Sequence, residues 1–199
     1  MIEVEINISP DEDGVKQLIA KSDFIREDIL TDIYYDDPQY SLTTHDTWLR
    51  SRNNRFELKL PLNRETISLR AVDQYRELET NAEIKKALNL PPKKDLAESL
   101  AEAGIKPCAT IVTTRQVYKH GEFTIDLDVT DFGFSKGEIE LLVKTEEEIA
   151  STKKKLTDFA AEHHIAYDIS GAGKMPQYLK THNQKHYNVL VAAGVIKGE

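Results

Sequence analysis

Strict alternation of apolar and polar positions begins at the second residue. Ile2, Val4, Ile6 and Ile8 fall on one side of residues 2–8, and Glu3, Glu5 and Asn7 on the other, the period of a strand with one buried face. The pattern returns in Trp48-Leu49-Arg50-Ser51-Arg52, in Phe56-Glu57-Leu58-Lys59-Leu60 and in Tyr75-Arg76-Glu77-Leu78-Glu79. It continues from Ile111 to Tyr118, a stretch that carries Arg115, then in Ile125-Asp126-Leu127-Asp128-Val129 and Glu138-Ile139-Glu140-Leu141. Residues 24–36 and 65–72 also read as strands, so about eight are available. Helices are expected over 10–22, where Ser9 can cap and Pro10 suits the first turn. Others fit 82–88, 93–103, 146–164 and a C-terminal region starting near Pro176. Runs of antiparallel strands with separate helices make the expected class α+β.

The polar faces of these strands carry the chemistry. Residues i and i+2 lie on one face roughly 6.6 Å apart, where two like charges repel by about 0.6 kcal/mol in water and a few-fold more in a low-dielectric cleft. Like pairs recur at Glu3/Glu5, Arg50/Arg52, Glu77/Glu79, Asp126/Asp128 and Glu138/Glu140, with the mixed pair Glu57/Lys59 among them. One such pair is ordinary on a solvated sheet face, which tolerates charge by default. A whole set suits a second arrangement, a closed barrel turned inside out, with its apolar face packed on helices and its charged face lining a lumen. Closure also removes the exposed sheet edges. Carboxylates converging from several strands would form a hard-cation site for Mg²⁺ or Mn²⁺. Arginines and lysines opposite would hold a polyanion, the guanidinium fork matching phosphate. Metal, acids and bases together are the equipment of phosphoryl transfer.

Composition narrows the choice. A chain of 199 residues, 40% hydrophobic and 30% charged, is globular and long enough to bury a core. The net charge of −8 argues against a general nucleic-acid binder, which needs a basic face, and leaves room for a small anionic ligand. The longest apolar run, Val189 to Ala193, breaks at Gly194, far short of a membrane span. The acidic, alternating start is not expected to be a targeting segment. A single cysteine, Cys108, excludes an intrachain disulfide and fits a cytosolic protein; a plain apolar role is expected of it. Leu90-Pro91-Pro92-Lys93-Lys94 is a rigid connection between helices rather than a domain boundary, so residues 1–199 are expected to form one domain and a monomer.

Taken in order, these stretches resemble the CYTH, or triphosphate-tunnel, superfamily, and within it the thiamine triphosphatase-like branch. Glu3-Val4-Glu5-Ile6-Asn7 is similar to its first-strand ExExK motif, with Asn7 in place of the lysine. Tyr34-Tyr35-Asp36, the Trp48–Arg52 and Glu57–Lys59 segments, Tyr75-Arg76-Glu77-Leu78 and Thr114-Arg115 continue the likeness. So do Asp126-Leu127-Asp128, Asp131-Phe132-Gly133, Gly137-Glu138-Ile139-Glu140 and the single Lys174. The resemblance implies a closed eight-stranded antiparallel barrel with helices packed outside, in which a divalent metal helps to hydrolyse a triphosphate. It would place phosphates on Arg50, Arg52, Lys59, Arg115 and Lys174, and metal on Glu3, Glu5, Asp126, Asp128 and Glu140. Glu138 is the candidate general base, and Trp48 would stack on the thiamine ring. A tripolyphosphatase, a nucleoside triphosphatase or a non-catalytic polyphosphate binder is the alternative, the last favoured by Asn7.

Two other motifs carry less. Gly171-Ala172-Gly173-Lys174 is a poor P-loop, with Asp168 at the first glycine position and Met175 where a hydroxyl should bind Mg²⁺. His182 and His186 have a zinc spacing but no acidic partner between them, and a surface or packing role is expected.

Overall fold

The computed structural model describes residues 2–11, 13–62, 73–168, 173–196 and 198. The strands are β1 (Ile2–Ile8), β2 (Asp23–Asp36), β3 (Trp48–Arg52), β4 (Arg55–Pro61) and β5 (Asp73–Leu78). They continue with β6 (Lys106–His120), β7 (Phe123–Thr130), β8 (Ser135–Val143) and the two-residue β9 (Tyr167–Asp168). Their order is β5-β4-β3-β2-β6-β7-β8-β1-β9, and β1 also pairs with β5. That last pairing, with Glu3 opposite Tyr75, closes eight antiparallel strands into a barrel and leaves β9 as an appendage on the end of β1. The strand expected at 65–72 lies outside the described residues.

Closure sorts each strand's two faces. The even side chains of β1 point outward, where Ile2, Val4, Ile6 and Ile8 pack with Val15 and Leu18 of α1 (Asp13–Ile19) and Leu156, Phe159 and Ala160 of α4 (Ile149–Glu162). Outward-facing Leu49 and Leu58 pack likewise on Ile84 of α2 (Asn81–Ala87) and Leu96 and Leu100 of α3 (Leu96–Glu102). Burying an aliphatic side chain of this size contributes about 1.5–3 kcal/mol, so the outward face supplies the apolar core that an ordinary barrel finds inside. Caps fix the helix starts: Thr80 accepts from the Glu83 amide and Asp95 from the Ala97 amide.

The last helical pair departs from the expected outside placement. Met175 and Leu179 of α5 (Lys174–His182) and Leu190 of α6 (Gln184–Ala192) share a core with Tyr34, Ala109 and Ile111. Ile111 has the parity of Thr113 and Arg115, so these helices close one end of the tunnel from the lumen side. His186 is fully buried there, its Nε2 is 2.7 Å from Thr43 Oγ1 and its ring stacks on Tyr40 at 3.9 Å; it packs, as expected. Cys108 is half-buried and hydrogen-bonds the Tyr34 carbonyl, and burial pushes its thiol up to about 12, which leaves it inert.

Element boundaries differ where local signals misled. β6 begins five residues before Ile111, because Pro107 masks its start; the β2 pairing shifts register beside that proline, a position where a strand tolerates one. α1 starts at Asp13 rather than at Pro10.

Gly137 measures how tightly the outward face is packed. A Cβ there would lie 2.6 Å from Ile8 Cγ1 and 3.2 Å from Leu127 Cδ2. Gly137→Ala should therefore lower unfolding free energy by about 1–3 kcal/mol, read from denaturant midpoints at unchanged slope.

Candidate active site

The lumen side chains enclose a cavity of about 450 Å³, the size of a small-ligand pocket. Along the described walls carboxylates outnumber cations, and they divide into two regions.

The first region is acidic. Glu5 stands opposite Glu140 on neighbouring strands, and Glu3 precedes Glu5 on the same face. Oxygens of these three side chains lie within 4.8 Å of one another. Glu5 is 5% exposed and its Oε2 has no hydrogen-bond partner. Burial, with the charges of Glu138 and Glu3, raises its pKa well above the carboxylate range. Burial and the neighbouring Glu3 push Glu140 up to about 9, and it hydrogen-bonds Glu3. Burial also acts on Glu3, but the Lys59 ammonium that pairs with it and the Glu140 bond hold it at about 2. Glu3 and Glu140 therefore share one proton as an acid–carboxylate pair. Convergent oxygens, an orphaned acceptor and carboxyls whose pKa is raised by burial and by one another are the donor chemistry of a hard divalent cation, and the residues fit one.

The second region is cationic. Arg52 donates from Nε and Nη2 to the two oxygens of Asp32 at 2.7 and 2.8 Å. Arg50 bonds Glu57 at 2.7–2.8 Å, and Lys174, the first residue of α5, lies 3.0 Å from Asp128. Arg115 spans the regions, clamping Asp128 at 2.6 and 2.8 Å while pairing with Asp126 and reaching Glu138 at 3.1 Å. Lys59 links Glu3 to Glu77, the latter at 3.3 Å.

Of the sequence-derived acids, Glu3, Glu5 and Glu140 converge. Asp126 stands between the regions: its Oδ1 has no partner, and burial pushes it up to about 6 despite Arg115. Asp128 lies on the cationic side with Arg115 and Lys174 on its oxygens. Glu138 is bonded by both Lys136 and Arg115; burial opposes its ionisation, but these cations hold its carboxyl well below the usual range. Held in this way it is a weak proton acceptor. Asn7, opposite Glu138, is 95% buried with an unpartnered Oδ1.

Several charged residues escaped the sequence reading, Arg26, Asp46, Lys136 and Asp32 among them. Lys136 of β8 is buried and pairs with Glu138, the residue opposite Asn7. Asp32 is wholly buried among the cations. Trp48 lines the cavity with Tyr34, Met175, Pro176, Val195 and Ile196, and its Nε1 donates to Asp46 at 2.8 Å. These residues make an apolar wall in a lumen rich in charge.

The eight strands thus form a closed antiparallel barrel with opposed acid and base clusters inside. The chain belongs to the CYTH domain family, whose model matches residues 1–168. It is 28% identical to human thiamine-triphosphatase over 176 residues, covering 80% of this chain and 76% of that one, and to the Macaca fascicularis protein of the same name to the same extent. The PH1819 protein of Pyrococcus horikoshii superposes with a TM-score of 0.62 at 24% identity, covering 89% of this chain and 98% of that one. A Hippeastrum protein described as a putative adenylyl cyclase with a dominant triphosphatase activity superposes at 0.55 and 18% identity, with 90% and 95% covered. These two share the fold. No helix among the described residues is long and apolar enough to cross a membrane.

The shared proton gives a direct test of the acidic cluster. A cation entering it must displace the proton, so Mg²⁺ binding at pH 7.5 should release protons, seen as calorimetric heats that differ between Tris and phosphate-free HEPES buffers. Glu140 is raised in the folded state, so its contribution to stability is full below pH about 4.5 and is lost as pH rises through about 9. Glu140→Gln should flatten that decline in metal-free melts and weaken Mg²⁺ binding by about tenfold or more. Equal heats in both buffers would remove the cluster as a metal site.

Proposed function

We propose that the protein hydrolyses thiamine triphosphate to thiamine diphosphate and phosphate, with Mg²⁺ as the cofactor and Mn²⁺ as a substitute. The observation that carries this reading is the three-carboxylate cluster facing the Arg50, Arg52 and Lys174 cations in one enclosed lumen, with Trp48 on the adjoining apolar wall. The thiamine-triphosphatase name of the human and macaque relatives supports the same substrate.

In this mechanism Arg50, Arg52, Lys59, Arg115 and Lys174 bind the phosphate chain and neutralise the charge that develops on the leaving diphosphate. Glu3, Glu5 and Glu140 hold the divalent cation, with Asp126 beside them and Asp128 orienting Arg115 and Lys174. When bound there, the cation supplies Lewis acidity and charge neutralisation toward the terminal phosphate. Glu138 gains proton affinity with substrate present, because phosphate oxygens compete for Arg115 and Lys136. It can then take a proton at a carboxylate oxygen from the attacking water. The thiazolium ring stacks on Trp48. Residues 1–199 act as a single cytosolic unit on a small molecule, with no nucleic acid or membrane involved.

Phosphate release from thiamine triphosphate, tripolyphosphate and ATP, each with Mg²⁺ and with EDTA, tests the assignment. Thiamine triphosphate should be the best substrate and EDTA should abolish turnover. Trp48→Ala should reduce kcat/KM for thiamine triphosphate by about 5- to 150-fold, the loss of about 1–3 kcal/mol of stacking, and leave tripolyphosphate nearly unchanged. A parallel loss on both substrates would show that Trp48 only packs, and ATP as best substrate would overturn the thiamine assignment.

A further inference from the structure

Asp32 is a carboxylate outside the metal cluster and, unlike Asp126 and Asp128, is entirely without solvent exposure. Its strand, β2, lies between β3 and β6, away from the β1–β8 wall that carries Glu3, Glu5 and Glu140. Instead it stands among three cations. Arg52 Nε and Nη2 take its two oxygens at 2.7 and 2.8 Å, Arg50 Nε lies 3.9 Å from Oδ1, and Lys174 Nζ lies 3.7 Å from Oδ2.

The three cations are held differently. Arg50 has Glu57 as a second carboxylate and Lys174 has Asp128, and neither of those is shared with Arg52. Arg52 gives Asp32 a two-point bond, which fixes the plane of the guanidinium as well as its position. A bidentate pair is oriented in a way that a single-point contact is not. Cations crowded around a small lumen also repel one another, and a carboxylate at their centre offsets that repulsion without occupying the cavity. Burial alone would neutralise Asp32; the Arg52 bond and the charges of Arg50 and Lys174 instead keep it ionised.

We propose that Asp32 is a positioning residue that holds Arg52, and through shared charge Arg50 and Lys174, in the arrangement that receives the phosphate chain, and that Arg52 keeps its Asp32 bond while substrate is bound. The proposal rests on the triphosphatase reading above. It places Asp32 outside the reacting atoms. Losing it should therefore disturb alignment more than attraction, since one anion that competes with phosphate for the cations is also lost.

Asp32→Asn keeps the side-chain shape and removes the charge. With Mg²⁺ and tripolyphosphate or thiamine triphosphate, kcat should fall about 30-fold or more, because small misplacements of a clamp have large effects on rate. KM should stay within about threefold of wild type or fall. A folded variant with wild-type kcat, or one whose KM rises while kcat holds, overturns the proposal. An arm on the wild-type protein covers a variant that does not fold. In an arginine-selective ¹H–¹⁵N spectrum the Arg52 Nε–H signal should be slow to exchange with solvent, and remain so when Mg²⁺ and tripolyphosphate are added. A signal that loses protection on addition shows that Arg52 leaves Asp32 for phosphate, and overturns the proposal. A wild-type protein that hydrolyses none of the triphosphates and whose arginine signals ignore tripolyphosphate would overturn the triphosphatase reading and this proposal with it.

Discussion

Ionised groups inside a closed barrel must neutralise one another, and this constraint shapes the whole structure. Water cannot screen Glu3, Glu5, Asp32 or Asp128, each almost fully buried, and an isolated buried charge is too costly to persist. Where cations are at hand the acids stay ionised: Asp32 on Arg52, Asp128 on Arg115 and Lys174, Glu138 on Lys136 and Arg115. Where burial and neighbouring carboxylates outweigh the cations, the pKa rises instead, as at Glu5, which has Lys59 only at 3.9 Å, and at Glu140. The acidic end is thus short of positive charge in a way that a divalent cation would satisfy, while the basic end has its cations already set in place.

The same constraint explains the inverted packing. A lumen full of charge cannot supply an apolar core, so the barrel finds cores on its outside, against α1 and α4 on one flank and α2 and α3 on the other. The third core lies inside, where α5 and α6 meet Tyr34, Ala109 and Ile111 and close one end. That closure delivers Lys174 to Asp128 and sets Met175 and Pro176 in the wall with Trp48. The helix that seals the tunnel thereby also completes its cationic face, although it lies beyond the residues the family model matches.

Much of this was legible in the sequence because strand parity is a strong signal. Glu3 and Glu5, Arg50 and Arg52, Asp126 and Asp128, and Glu138 and Glu140 each share a face, and the structure turns each pair into the lumen. Asp32 was not legible, since its strand lacks clean alternation: Phe24 and Ile25 are adjacent, and the β2–β6 register shifts between Phe24 and Arg26. Lys136 was missed because its strand opens with Ser135 and Gly137 around it, residues with no strand signal of their own. Periodicity shows which face a charge occupies but not which partner it meets across the lumen. The division of the acids into a converging set and a set clamped by cations therefore had to come from the structure.

On the proposed function, the lumen lacks the positive charge to hold a polyanion until a divalent cation enters the Glu3, Glu5 and Glu140 cluster. Calorimetric titration of the protein with tripolyphosphate, with Ca²⁺ or Mg²⁺ at saturation and again in excess EDTA, measures this directly. Tripolyphosphate should bind with the metal and lose at least about tenfold in affinity without it. Equal affinity in EDTA would show that the cations alone hold the phosphate chain, and would contradict this reading.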